Sequence, residues 1–442
     1  MSARPLLLVC LVACTQVDVV AVRPDGSPPI PDADVLDAEV PDAEIGFCEG
    51  DGPLVLVGDG RLGCTGAVAQ TTFRYAICTC EGMALSAPVT TDAFDSREGP
   101  YTSGEGGGSL ATNGRFDASA DVDVGGGLDV GGSGLLFGAT DLRVRARLRS
   151  AGPLNGDGLL VVGGDASVNG DLRVEDLFVG GTVLVPDGAT VEARGIDEAP
   201  RRDSGPVDVP PPCDCAPERL LDIGALVAAH AAENDNAAAG LEADALDGLT
   251  GDARITLPCG RYHVDRVSGE ALTIEATGRV ALFVAGDLAL GQLTIDLAPG
   301  AEIDLFIAGN VLGQARWTLG DPSQPANARI YVGGGGTLEL AGGATFAGNV
   351  YAPNAELVTP ASVEVFGSLF ARRIAASGPL TVHYDKALSA TGEGCPTTGS
   401  CTSCLDCGNQ ACIGGRCGDC ATDGDCCAPL VCAVGTCVPQ IL

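Results

Sequence analysis

Apolar residues recur at every second position through much of this chain. From Val122 to Leu148 the even positions are apolar or glycine: Val122, Val124, Gly126, Leu128, Val130, Gly132, Gly134, Leu136, Gly138, Leu142, Val144, Ala146 and Leu148. The odd positions carry Asp123, Asp129, Ser133, Asp141, Arg143, Arg145 and Arg147, with Leu135 and Phe137 as breaks. The same parity resumes through Leu154, Leu160, Val162, Gly164, Ala166, Val168, Gly170, Leu172 and Val174. A period of two is that of a strand with one buried face. Ordinary strands run about five or six residues, so an alternation this long must turn corners without changing face. A β-solenoid does this by winding short strands around a narrow apolar core. A sandwich of hairpins is the rival.

A second patterned stretch, Val280 to Asp385, repeats one phrase: VALFVAGDL, EIDLFIAGNV, GATFAGNVY and VEVFGSLFA. Aligned on Gly286, Gly309, Gly348 and Gly367, it places apolar or small residues two and four positions before the glycine. The glycine takes the inward parity, where a side chain would crowd the next layer. Between the two patterned regions lies VPPPCDCAPERLLDIGALVAAHAAENDN. Pro217 and Glu218 suit a helix start. Leu220, Ile223, Val227 and Ala231 fall at helical spacing, which predicts one helix over 218–233. The fold expected is mainly β: a right-handed β-solenoid-like body with one inserted helix, plus a small disulfide-rich C-terminal module.

The N-terminus changes the expected location. MSARPLLLVCLVAC has a basic start and an apolar core too short to span a bilayer. Leu11-Val12-Ala13-Cys14 resembles a bacterial lipobox, whose cysteine is acylated before cleavage. An ordinary secretory signal with an incidental cysteine is the alternative. Residues 15–47 are rich in Pro, Asp, Ala and Glu and cannot bury enough apolar surface to order themselves. The expected organisation is therefore a lipoprotein signal peptide (1–13), an acidic tether (14–47), an N-terminal Gly-rich β region (48–212), a helical insertion (213–250), a second solenoid-like region (251–392) and a cysteine-rich module (393–442).

Composition sets further bounds. Formal charge is 25 minus 58, or -33, which argues against nucleic acid as a partner. Aromatic residues are 4%, so cores must be aliphatic. Twenty cysteines point to an oxidising compartment. Setting aside Cys10 and the lipidation candidate Cys14, the disulfide candidates are Cys48, Cys64, Cys78, Cys80, Cys213, Cys215, Cys259, Cys395, Cys401, Cys404, Cys407, Cys412, Cys417, Cys420, Cys426, Cys427, Cys432 and Cys437. Cys78/Cys80 and Cys213/Cys215 look like matched pairs. Cys48 with Cys64 and Cys259 with Cys395 are the remaining choices before the tail. The tail repeats C-x4-C-x4-C at Cys407, Cys412, Cys417 and at Cys427, Cys432, Cys437, which reads as an internal duplication. Zinc held by CTSC, CLDC or CGDC is the rival to disulfides there.

Catalytic chemistry is thinly supplied. Histidine occurs only at 230, 263 and 383, and G-x-S-x-G, H-E-x-x-H and G-x-x-x-x-G-K are absent. His383 and Asp385 share a strand face and could hydrogen-bond each other, locking the last coil. Asp287, Asp296 and Asp304 are the candidates for a polysaccharide-cleaving carboxylate cluster. Asn234-Asp235-Asn236 offers oxygen ligands for a hard cation, or an Asx turn leaving the helix. The expectation is no catalytic residue, no metal and no cofactor.

RIYV, GNVYAPNAEL, VFGSLFA and VHYDKAL, with LPCGRYHV, RVALFVAGDL and EIDLFIAGNV, resemble a β-rich domain of some type IV pilus assembly proteins. The domain also occurs in large predicted surface lipoproteins of myxobacteria, and the similarity spans residues 210–395. DCCAPLVCAVGTC resembles knottin-like secreted repeats. The resemblance implies fold and location: an outer-membrane or cell-surface protein held by its lipid, with an envelope or extracellular-matrix partner. The expected role is structural or adhesive and non-enzymatic. A polysaccharide-acting β-helix enzyme and a calcium-dependent binding module are the alternatives.

Overall fold

The computed structural model describes residues 54–57, 61–104, 106–195, 201–340 and 345–391. In the tail it describes 411–413, 416–418, 420–422, 425–426, 430–433 and 436–439. The body is a β-solenoid of about 13 turns, mainly β as expected. Its strands pair in parallel, so residues of one column repeat coil after coil. One such column runs Tyr262, Leu282, Leu305, Ile330, Val350, Leu369, Ile77, Leu110, Leu128, Leu148, Ala166, Val183. Every member is buried. Burying one large aliphatic side chain is worth about 1.5–3 kcal/mol before chain entropy is subtracted.

The order of coils along the axis is not their order along the chain. Strand Ile77–Leu85 lies between Val363–Ala376 on one side and Leu110–Thr112 with Arg115–Ala118 on the other. Strand Val89–Phe94 lies between Leu380–Asp385 and Val122–Val124. The first coils therefore start in the middle of the stack and wind out to one end at Arg201–Ser204. The later coils start at the other end, at Leu249–Leu257, and wind back to the middle. The two sets meet at a seam with no chain connection across it. Matching apolar columns suffice there, because parallel pairing needs register and not covalent continuity.

Residues 205–248 join the two ends by running back along the outside as a strap. Pro211 and Pro212 close over Gly131, where a β-carbon would lie 2.7 Å from Pro212 Cδ. Asn113 then holds both backbone groups of Cys213, donating to its carbonyl at 2.7 Å and accepting from its amide at 2.8 Å. Disulfides Cys78–Cys213 and Cys80–Cys215 fasten the strap beside the seam, with Cα separations of 5.9 and 5.5 Å. The Leu221 amide donates to Tyr351 Oη at 3.1 Å. At the far end the amides of Arg261 and His263 donate to the Asp235 and Asn236 side chains at 2.6 and 2.9 Å.

The strap corrects the helix expectation. The helix covers Ile223–Ala229, not 218–233. It starts late because the Asp222 side chain accepts from the Ala225 amide and fixes the N-cap there. It ends at His230, and the Asn234 amide group takes up the His230 and Ala231 carbonyls. A short second helix, Asn236–Ala239, follows in the strap. A further helix, Thr65–Thr72, was not expected: TGAVAQTT is too short and too β-branched to carry a clear helical period.

Two pattern readings are also corrected. Even residues from Val122 to Val130 and from Leu142 to Leu148 face inward in every strand, but the parity slips between these stretches. Leu135 and Phe137 are buried and Leu136 is 41% exposed. The slip follows Gly134, whose φ of +127° lets the corner take an extra residue. The four glycine phrases do not form one column. Gly334 donates to Gly309 and Gly309 to Gly286, whereas Gly348 is the partner of Gly367. The strands of this region also bury both faces, because the strap, Phe73 and the Pro325–Asn327 turn together cover the outer one. That is why RVALFV, EIDLFI and ARIYV read as nearly continuous apolar runs.

In the tail, hairpins Ala411–Ile413/Arg416–Gly418 and Leu430–Ala433/Thr436–Pro439 have equivalent registers. Cys412 is the register partner of Cys417 in the first hairpin, as Cys432 is of Cys437 in the second. The duplicated spacing thus encodes a duplicated hairpin.

Candidate functional site

A dense polar arrangement sits on the seam. The even residues of Leu380–Asp385 point into the core, which turns His383 and Asp385 to the outer face. In register with His383 lie Phe366 on one side and Asp92 on the other. His383 Nδ1 lies 2.6 Å from Asp92 Oδ1, and Nε2 lies 3.1 Å from Glu364 Oε1, each within hydrogen-bond reach. Tyr101 leans over the imidazole, with ring centroids 4.1 Å apart and planes tilted by 39°, and donates its hydroxyl to Asp92 at 2.8 Å. Burial opposes a charge on His383, but the bonds and charges of Asp92 and then Glu364 outweigh it and raise its pKa above the ordinary imidazole value. Burial, together with Asp92, pushes the Tyr101 phenol up to about 12. The group is an imidazole held between two carboxylates, with Asp92 from the first coil set and His383 and Glu364 from the second.

Asp385 does not bond His383, contrary to the sequence expectation. Its carboxylate is buried and accepts from the amides of Ser96, Ala387 and Ala326. It thereby caps the 3-10 turn Lys386–Ala390 and ties the loop after Phe94 to the second coil set. Burial raises its pKa against these three bonds. Tyr384 points the other way and donates to the Phe73 carbonyl at 2.9 Å. On the exposed edge of the seam, Arg372 pairs with Glu81 at 2.7 Å.

The three carboxylates singled out for polysaccharide chemistry do not act together. Asp304 is buried and forms a two-point pair with Arg329, at 2.6 and 2.9 Å, which also binds Glu302. Asp287 accepts from the Asn310 amide in a coil corner. Asp296 is exposed beside Arg254. The Asn234–Asn236 motif is also engaged: the Asn236 backbone amide donates to Asn234 Oδ1 as an Asx turn, and Asp235 and Asn236 clamp the strap. Among the described residues no cluster of three His, Cys, Asp or Glu is placed to hold a metal ion.

A cleft of about 470 Å³ lies near the outer end of the first coil set, lined by Asp157, Arg173, Glu175, Glu192 and Arg194. Its arginines are taken by its own acids, Arg173 by Glu192 and Arg194 by Glu175. Cys64, Cys259 and Cys426 are oxidised, and Cys420 is bonded to Cys432. Cys14, Cys48, Cys395, Cys401, Cys404, Cys407 and Cys427 lie outside the described residues, as do the signal and tether.

Asp92, Tyr101, Glu364 and Arg329 escaped the sequence reading. Asp92 and His383 are 291 residues apart, and no local pattern joins them. The one available signal was a phase problem: Phe283, Phe306 and Tyr331 occupy the parity that should face water.

Residues 214–391 match the family model of a domain of unknown function (DUF7305). The matched span takes in the strap from Asp214 onward and the whole second coil set, while the first coil set lies outside it. No curated protein matches the chain, and no solved structure does.

Proposed function

We propose that this chain is a lipid-anchored protein of the bacterial envelope surface, whose stapled solenoid serves as a rigid structural or adhesive body. The observation that supports this most directly is the strap: two disulfides and a series of side-chain clamps fasten it across the seam and over the second coil set. Such bonds persist in an oxidising compartment, which agrees with the lipobox-like Leu11–Cys14 and an acidic tether. The role does not call on catalysis. The buried titratable groups of the seam bond one another and the backbone.

Intact mass of protein extracted from its native membranes tests the reading. The expected species begins at Cys14 and carries a diacylglycerol adduct, and intact cells bind antibody raised against the body. A soluble, unacylated mature chain starting elsewhere overturns it.

A further inference from the structure

The chain contains three histidines, and all three side chains are buried. They divide between two fastenings. His383 crosses the seam between Asp92 of Val89–Phe94 and Glu364 of Val363–Ala376, under Tyr101. His230 and His263 lie at the far end of the strap. The His230 ring stacks on Phe283 at 4.2 Å, and its Nδ1 lies 3.4 Å from the Glu233 carbonyl. His263 is in register with Phe283, and its Nε2 is buried without a hydrogen-bond partner in the protein. The charged groups around these two rings are Glu233 on the strap and Arg261 and Asp265 on the coil, besides the rings' own mutual influence. Here the Asp235 and Asn236 side chains accept from the amides of Arg261 and His263.

We infer that these are two proton-operated latches of opposite sign: a proton on His383 holds the seam closed, and protons on His230 and His263 free the far end of the strap. The reason is the company each ring keeps. His383 has a carboxylate on each nitrogen, so its cation is matched on both sides. His230 packs flat on a phenyl ring beside Arg261, and His263 turns one nitrogen into a buried space with no acceptor. A cation at either place meets burial first, and the partners that favour it, the Glu233 carbonyl at His230 and the Asp265 carboxylate at His263, offset only part of that.

The direction with pH follows from that. His383 is raised above 6.5, so its contribution is complete below that value and is lost as pH rises through its folded value. His230 and His263 are lowered from 6.5, chiefly by burial. Their contribution is complete above 6.5 and drains away as pH falls below it. Mild acid therefore tightens the seam while loosening strap residues 230–247. Loosening uncovers Phe283 and returns the edge of Gly260–Val264 to water, an edge now occupied by strap side chains. That edge could then accept an added strand. This inference goes beyond the surface reading and does not depend on the lipid anchor.

Two measurements on the full oxidised chain test it. Imidazole resonances are followed from pH 4.5 to 9 and assigned with His383→Gln, His230→Phe and His263→Gln. One resonance should titrate above a free imidazole and two below it. Hydrogen exchange, corrected for intrinsic rates, is then compared at pH 5 and pH 8. Protection of strap residues 231–247 should fall severalfold at the lower pH, the direction set by the lowered pKa of both rings. Protection of 89–94 and 380–385 should be greater at pH 5 than at pH 8. The His230→Phe, His263→Gln double variant should keep its strap protected at pH 5. His383→Gln should remove the pH response of the seam and leave that of the strap. Three resonances titrating together near 6.5, or strap and seam responding in the same direction, overturn the inference. Should the double variant fail to fold, the wild-type titration and exchange decide alone.

Discussion

The two coil sets share one inner core and differ in what covers them. A single outward column makes the comparison: His263, Phe283, Phe306, Tyr331, Tyr351 and Phe370 in the second set, then Cys78, Ala111, Asp129, Arg149, Ser167 and Leu184 in the first. Under the strap helices the column is aromatic, with Phe283 on Phe306 at 5.3 Å and Phe306 on Tyr331 at 4.6 Å. At the disulfides it shrinks to Cys78 and Ala111. From there it turns to Asp129, Arg149 and Ser167, with Leu184 last. The fold dictates the inner face everywhere, while a distant segment dictates the outer one. Few aromatics suffice for this protein because a good share of them is spent on that one covered strip.

The largest effect that could break the comparison lies in the charges. Asp304 and Arg329 form a pair in which each side chain is 1% exposed. Asp304→Ala leaves a buried guanidinium with half its acceptors gone and should cost about 3–5 kcal/mol in denaturant unfolding. Asp123 pairs with Arg145 across 3.5 Å on the exposed face of the first set, where Arg145 is 56% exposed. Its replacement by alanine should cost about 0–1 kcal/mol. Equal losses at both sites would mean that water reaches the Asp304–Arg329 pair as it reaches Asp123–Arg145.

Next in size come the staples. Cys78–Cys213 and Cys80–Cys215 each close a loop of separation 135, and they close nearly the same one. Chain-entropy reasoning then assigns most of the gain to whichever forms first. Removing either bridge with serine pairs should therefore change stability little. Removing both should cost about 2–5 kcal/mol and raise exchange in residues 213–221. Additive losses from the two single removals would show that the bridges constrain separate parts of the chain.

The solenoid and its inner column were legible because coil parity is a local property: Val122, Val124, Leu128 and Val130 announce it within ten residues. The matched spacing of Cys78/Cys80 and Cys213/Cys215 was legible too, since equal offsets on two segments suit a ladder of two bridges. The strap was not. Nothing between residues 205 and 248 says that it lies on Phe283 and Phe306, so those rings looked like noise in an alternating pattern. The seam was hidden for the same reason. Its partners Asp92, Glu364 and His383 come from opposite ends of the body sequence, and only the winding of both sets toward the middle brings them together.

Asp129 gives the smallest of the three tests and the sharpest, because its parity and its environment disagree. By parity it faces outward, which predicts that Asp129→Val is nearly neutral. In the structure its side chain is 3% exposed and accepts from Arg149 Nε and Nη2 at 2.7 and 2.9 Å, with Arg147 nearby at 3.8 Å. It lies two residues before Gly131, where the strap prolines close over the coil. That carboxylate also holds the Arg149 guanidinium pKa up, against the burial that would lower it. Valine would strip Arg149 of its two-point acceptor while leaving its stem packed. The loss should be about 1–3 kcal/mol, as for a partly buried charged donor left unmatched. Arg143→Ala, at a 47% exposed side chain paired only with exposed Asp141, should stay within about 1 kcal/mol of wild type. Unfolding both variants at low and high salt separates the cases. The Arg143 difference should fade with salt, and the Asp129 difference should persist, because screening reaches only the pair that water reaches. A neutral Asp129→Val would place the boundary of the covered strip short of Gly131, and the outer column would turn to solvent at the disulfides themselves.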